Sequence, residues 1–411
     1  MRLHLIALSA ATLIAAGPVF ADCGIATGSV KILSNDFEAL KVVNAAAAEC
    51  ASDAVKITSN ATTEHKNIQV AALTANPAEY TVAMVANNSI VPLLGGGLIR
   101  PLDDLIAKYG QQLLPNQLIK IDGKVMAVAF MANGQHLVMR RDLLKEVGMD
   151  VLPTSWIGVM EAAKAIKEKG LLEHPLAASN VAGWDLAAEF VNMYLGTGGE
   201  FFEPGTANLA IDNDQGRLAL QTMRDLTKYM APDYITYDTD SMAQLYRDGK
   251  VGVMNNWGSL AGSLIDAAKA QPAVVANTVF AAAPTVGEGT IPSAALWWDG
   301  FTIAANIPDA DAEASFQAMM HALAPETATK NPNAAVWLIA GYKPGPAAVG
   351  VMANANGGAR PYPMVPWMGV LHETLGNELA DFIKGSEEAD KALADIKAAY
   401  TAAAQQAGYL K

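Results

Sequence analysis

The sequence predicts an α/β protein of two domains, and three observations predict it. Strand-like and helix-like segments alternate from residue 29 onward, the order that builds a parallel sheet with helices on both faces. About 390 residues follow an apolar N-terminal leader, enough for two large cores. Hydrophobic residues make up 52% of the 411-residue chain, a globular composition rather than a disordered one.

The elements follow in order. "SVKILS" (29–34) reads as a strand, 38–50 as a helix, "AVKITSN" (54–60) as a strand, 65–74 as a helix and "YTVAMVANN" (80–88) as a strand. A long extended segment (123–144) is broken at Asn133-Gly134 and runs into a helix at Asp142. Apolar positions at helical spacing and a Gly170 stop mark 154–170 as a helix; a short strand then ends at Ser179-Asn180. Residues 214–230 and 239–249 read as helices leading into the strand "KVGVMNNW" (250–257), followed by the strand "WDGFTIAAN" and a helix over 310–323.

The leader sets the compartment. Met1-Arg2, an apolar stretch over 3–16 and the small-residue exit at Ala21 form an export signal over residues 1–21, too short to span a bilayer. The expected location is the periplasm. Asp22 ahead of Cys23 is unsuited to lipid attachment. Cys23 and Cys50 then reach an oxidising compartment, where pairing them stabilises the fold by roughly 3 to 4 kcal/mol. Their spacing matches neither a zinc pattern nor a redox CxxC, so no metal is expected.

A net charge of −13 argues against nucleic acid and anionic membrane surfaces as partners. No GxSxG elbow, HExxH, P-loop or GxGxxG fingerprint is present, so neither catalysis nor a cofactor is expected. The six histidines are scattered and read as surface or capping residues. Asp36 and Asp299 stand at strand ends, without the apolar neighbours that mark a raised pKa; a secreted carbohydrate-active enzyme would need such a pair facing each other.

Binding is better supported. Parallel sheets take ligands at the carboxyl ends of their strands, where this sequence places Asn35 and Asp36, Asn60, and Asn87. Amides outnumber carboxylates at these ends, which favours a neutral solute over a cationic one. Asn256 and Trp257 end another strand, before a helix capped by Ser259, and Trp184 opens a helix after Asn180 and Gly183. An indole face beside amides suits the C–H face and hydroxyls of a sugar. In "ALWWDGFTIAAN" (295–306), Trp297 and Trp298 leave opposite faces of a strand. Trp298 is expected to face the ligand, with Asp299 available to a hydroxyl and Gly300 letting the backbone turn.

Several blocks, in order, resemble the family-one extracellular solute-binding proteins of bacterial ABC sugar importers, the group of maltose-binding protein: "GLIRPLDDLI" (97–106), "DGKVMAVAFMANGQHLVMRRDLL" within 122–166, "GGEFFEPGTANLAIDNDQGRLALQ" within 198–226, "LYRDGKVGVMNNW" (245–257), "DGFTIAANIPDADAEASFQ" within 299–323 and "ARPYPMVPWMGVLHETLG" within 359–393. The resemblance implies two α/β lobes, each a mostly parallel sheet flanked by helices, joined by a multi-strand hinge. It divides the chain into 22–131 plus 301–344 and 132–300 plus 345–411, with crossings near 130–135, 299–302 and 342–346. It implies sugar contacts at Asn133 and Trp257, and a cleft position for Arg360. The partners implied are a mono- or oligosaccharide and the permease subunits of the inner membrane, with the receptor a monomer. "SNDFEAL" in place of a Gly-Gly-Glu turn, and Trp297-Trp298-Asp299 in place of glycines, leave a polyol or other small polar solute as the alternative ligand.

Overall fold

The computed structural model describes residues 23–411, so the expected export signal lies outside the described residues. The strands are β1 (Gly28–Ser34), β2 (Val55–Ala61), β3 (Val82–Ala86), β4 (Leu118–Ile121), β5 (Lys124–Asn133), β6 (Gln135–Arg140), β7 (Leu176–Ala177), β8 (Val253–Trp257), β9 (Thr278–Ala281), β10 (Ala295–Ile303), β11 (Val336–Trp337) and β12 (Arg360–Pro361). They form two sheets.

In the larger sheet, with strand order β11-β5-β10-β3-β1-β2, β1 lies parallel to both β2 and β3. Strand β10 then enters antiparallel between β3 and β5. Val30, Ile32 and Leu33 are fully buried, as suits a central strand covered on both faces. Val30 and Ile32 pack with helices Glu38–Ala48 and Asp309–Ala322 in one core. The Cys23–Cys50 disulfide closes beside that core.

The smaller sheet, β7-β8-β6-β9, departs from the parallel pattern. Only β7 and β8 run parallel; β6 is antiparallel to both β8 and β9. The reason is connectivity, since β6 arrives directly from β5 through Gly134, without a crossover helix to restore its direction. Its core contains Trp156, whose Nε1 donates to Ser293 Oγ at 2.8 Å, on a helix capped by Ser155.

Two strand paths tie the lobes together. β5 ends in the larger sheet at Asn133, and β6 begins in the smaller one at Gln135. β10 carries Trp297 into the core of the smaller sheet's lobe and Phe301 into that of the larger. Gly300 has no left-handed φ, so it is not there to turn the chain. A Cβ at Gly300 would run into the Val128 carbonyl oxygen; glycine is required by close strand approach at the irregularity between Asp299 and Gly300. Among the described residues no helix is long and apolar enough to cross a membrane.

Candidate functional site

A cavity of about 400 Å³ lies between the lobes. The larger sheet's lobe contributes Asn35, Asp36 and Phe37 after β1, His65 and Lys66 at the start of helix His65–Thr74, and Asn88 after β3. The other lobe contributes Trp184 and Asp185 at the start of helix Trp184–Gly196, Asp238 to Asp240 at the start of helix Thr239–Arg247, and Trp257, Ser259 and Leu260 around the end of β8. The connecting strands add Asn133, Trp297 and Asp299.

One wall is aromatic. The rings of Trp184, Trp257 and Trp297 lie 5.8 to 6.1 Å apart, centroid to centroid. Behind them Tyr362 packs on Trp297 at 4.2 Å, and His372 packs on Trp184 at 5.1 Å while one ring nitrogen meets the Trp184 carbonyl at 3.0 Å. Burial pushes the His372 imidazole down to about 4, so this support is neutral at physiological pH. The indoles are therefore held from behind and present a preformed apolar surface.

Charged groups share the cavity with them. Burial lifts the Asp299 carboxyl to about 7, against the attraction of Lys66, and it raises Asp185 as well. Burial also lowers Lys66 to about 8, although Asp299 and Asp185 favour its charged form. The Lys66 ammonium sits 4.7 Å from the centroid of a Trp184 ring, reaching across the cleft. Asp185 accepts from Thr239 Oγ1, and Asp36 pairs with Lys41 at 2.7 Å. Asn133 Oδ1 accepts from the Gly134 and Ser259 amides, at 3.0 and 3.2 Å. The start of helix Gly258–Leu264 is thus satisfied by Asn133 from β5, not by Ser259 as its position in the sequence suggested.

Of the residues singled out in the sequence, Asn35, Asp36, Asn133, Trp184, Trp257 and Asp299 line this cavity; five others do not. Asn60 is exposed and donates to Tyr80 Oη. Asn87 is buried and accepts from the Trp298 amide at 2.9 Å, buttressing β10. Asn256 is fully buried, its Oδ1 taken by the Trp257 amide. Arg360 ion-pairs with Glu200 at 2.6 Å and donates to the Gly199 carbonyl, away from the cavity. Trp298 packs into the apolar cluster of Val85, Ile90 and Ala127 under the larger sheet.

Trp297 is the tryptophan that reaches the cavity, and a period of two accounts for it: residues 297 and 299 share a strand face, so a cleft-facing Asp299 carries Trp297 with it. Expecting Trp298 and Asp299 on one side broke that parity. The raised Asp299 carboxyl also corrects the reading that it lacks an apolar setting, because its burial comes from distant segments. Lys66, Asp185, Tyr362 and His372 gave no signal in the sequence. Three histidines read as surface or capping residues, His65, His136 and His372, are buried. Among the residues that line the cavity, carboxylates outnumber amides, the reverse of the strand-end count.

A family model for bacterial extracellular solute-binding proteins matches residues 42–324, more than half of the chain. The chain belongs to that family. This solute-binding protein is 24% identical, over 194 residues, to a probable ABC transporter-binding protein of Deinococcus radiodurans. The match covers 45% of this chain and 44% of that relative, so the chain spans less than half the length of the curated relative it matches. Among solved structures, the maltose-bound MalE3 of T. maritima superposes with a TM-score of 0.78 at 18% identity, over 91% of this chain and 99% of that one. A solute-binding protein of Agrobacterium vitis S4 with bound D-mannitol gives 0.76 at 19% identity, over 94% and 100%. One of Agrobacterium radiobacter K84 in complex with ribitol gives 0.74 at 19% identity, over 91% and 98%. These likenesses are of fold, the two-lobed periplasmic-binding-protein fold.

Proposed function

We propose that the protein is the periplasmic receptor of an ABC importer, binding a carbohydrate in the interlobe cavity and delivering it to the membrane permease. The alternative ligand is a polyol or another small polar solute. The observation that carries the reading is the three-indole wall in one cavity with Asp299, Asp185 and Lys66. An apolar face for the C–H groups of a ring or open carbon skeleton, with charged donors and acceptors in the same cavity, is the chemistry a polyhydroxylated solute needs. The structures of this fold bound to maltose, D-mannitol and ribitol support the same class.

In this reading residues 22–131 with 301–344 form one lobe, residues 132–300 with 345–411 the other, and a monomer closes about β5–β6 and β10. The division of the cores supports it, with Val30, Val128 and Phe301 in one and Leu137, Trp257 and Tyr400 in the other. Asn35, Asp36, Asn133, Trp184, Trp257 and Asp299, with Trp297, Lys66 and Asp185 added, are the proposed contacts. A thermal-shift screen of sugars and polyols tests the reading, since a ligand that binds only the folded protein raises its melting temperature. A shift with one such solute is expected. A shift with polyamines or amino acids alone would overturn the carbohydrate assignment.

A further inference from the structure

The charges around the cavity are unbalanced. Asp36, Asp185, Asp238, Asp240 and Asp299 line it against the single lysine Lys66. Asp36 is offset by Lys41 on the rim, and the Asp238 carboxylate is engaged at the start of its helix with Ser241. His65, held down to about 4 by burial, adds no positive charge near neutral pH. Asp185, Asp238 and Asp240, with Asp299 about half ionised near pH 7, therefore leave negative charge that Lys66 alone does not cancel.

Two further features show what that charge would meet. Lys66 already places an ammonium against the Trp184 indole and is drawn to Asp299 and Asp185, so the cleft has a position suited to a cation. Trp297 Nε1 is a buried donor without a protein partner, on a cavity-lining residue that is only 7% exposed. Such a donor calls for an acceptor, which a ligand hydroxyl supplies.

We infer that the cleft selects a polyhydroxylated solute bearing a protonated amine, an amino sugar or amino polyol whose ammonium takes the place of Lys66 between Trp184, Asp185 and Asp299. The inference rests on the receptor reading above and narrows its ligand. A hydroxyl accepts from the Trp297 indole N–H, the carbon skeleton covers the indoles, and the amine answers the carboxylates. A neutral sugar of the same shape leaves Lys66 to neutralise the site by itself. A simple diamine, protonated at both ends, offers that N–H no acceptor.

Matched pairs test this by calorimetric titration near neutral pH: D-glucosamine against D-glucose, and 1-amino-1-deoxy-D-sorbitol against D-sorbitol, with N-acetyl-D-glucosamine as the uncharged amide. The amine of at least one pair is expected to bind about tenfold tighter than its parent or more. Asp299→Asn, shown to be folded by its ligand-free melting, should remove most of that advantage. Lys66→Met, which removes the resident cation, should strengthen amine binding severalfold. Equal or tighter binding of the neutral members overturns the inference and leaves the receptor reading intact, as does failure of both amines to bind while a neutral sugar or polyol does. Binding of putrescine with none of the hydroxylated solutes overturns both.

Discussion

Replacing Asp299 with asparagine should make the ligand-free protein more stable at pH 8 and leave it nearly unchanged at pH 4. The carboxyl titrates at about 7 in the folded protein against an ordinary value of 3.8, with burial as the main cause. A folded-state value above the unfolded one means that ionisation works against folding. Below about pH 4 the group is neutral in both states and costs nothing. As pH rises toward 7 the unfolded chain ionises first, and wild-type stability falls. At about 1.4 kcal/mol per pH unit between those values, the full penalty is about 4 kcal/mol. Lys66 already holds that value down, so the penalty is net of its attraction. The expected gain is therefore about 4 kcal/mol above pH 7. Urea unfolding of both proteins at pH 4, 6 and 8, without ligand, reads it directly. A variant less stable than wild type at pH 8, or a difference that does not grow with pH, would refute the assignment of Asp299 as a charge buried against its own preference.

The tryptophans separate by the same logic. Trp297→Ala should lower stability by about 3 to 5 kcal/mol and also abolish tight binding, because this side chain belongs to a core and to the cavity wall at once; Trp298→Ala should cost stability with affinity nearly retained, and the reverse ranking in titration would place the wrong tryptophan in the cleft. Trp184 is 37% exposed, so Trp184→Ala should cost about 1 kcal/mol of stability while weakening ligand binding about tenfold, and unchanged affinity would remove it from the wall. Gly300→Ala should disrupt the β10–β5 pairing, since the new methyl would meet the Val128 carbonyl; a melting temperature within about one degree of wild type would show that the strands can separate freely there.

The opening alternation of strand and helix was legible because it is local. Turn residues, capping and a period of 3.6 or 2 are properties of adjacent side chains, so the first five elements fall within a few residues of their expected positions. Cys23 and Cys50 were legible as a pair because the sequence offers no other cysteine. Trp184, Trp257 and Asn133 stood out because each sits at a junction of elements, where strand ends gather.

Other features belong to the tertiary structure alone. Whether β6 runs with or against its neighbours depends on how β5 hands over at Gly134, and no side-chain pattern records that. Asn60, Asn87 and Arg360 carry groups that suit a ligand, yet each is committed to a protein partner that only folding brings near, and Asn256 is turned onto the Trp257 amide and buried. Lys66 and Asp299 are far apart in sequence, and their shifted titrations arise from the low-dielectric space that two converging lobes create. Residue type and spacing determined what chemistry the protein carries. Which of those groups meet across a cleft, and which are consumed in holding it open, was decided by packing, because desolvation and hydrogen-bond partners are properties of three-dimensional neighbours.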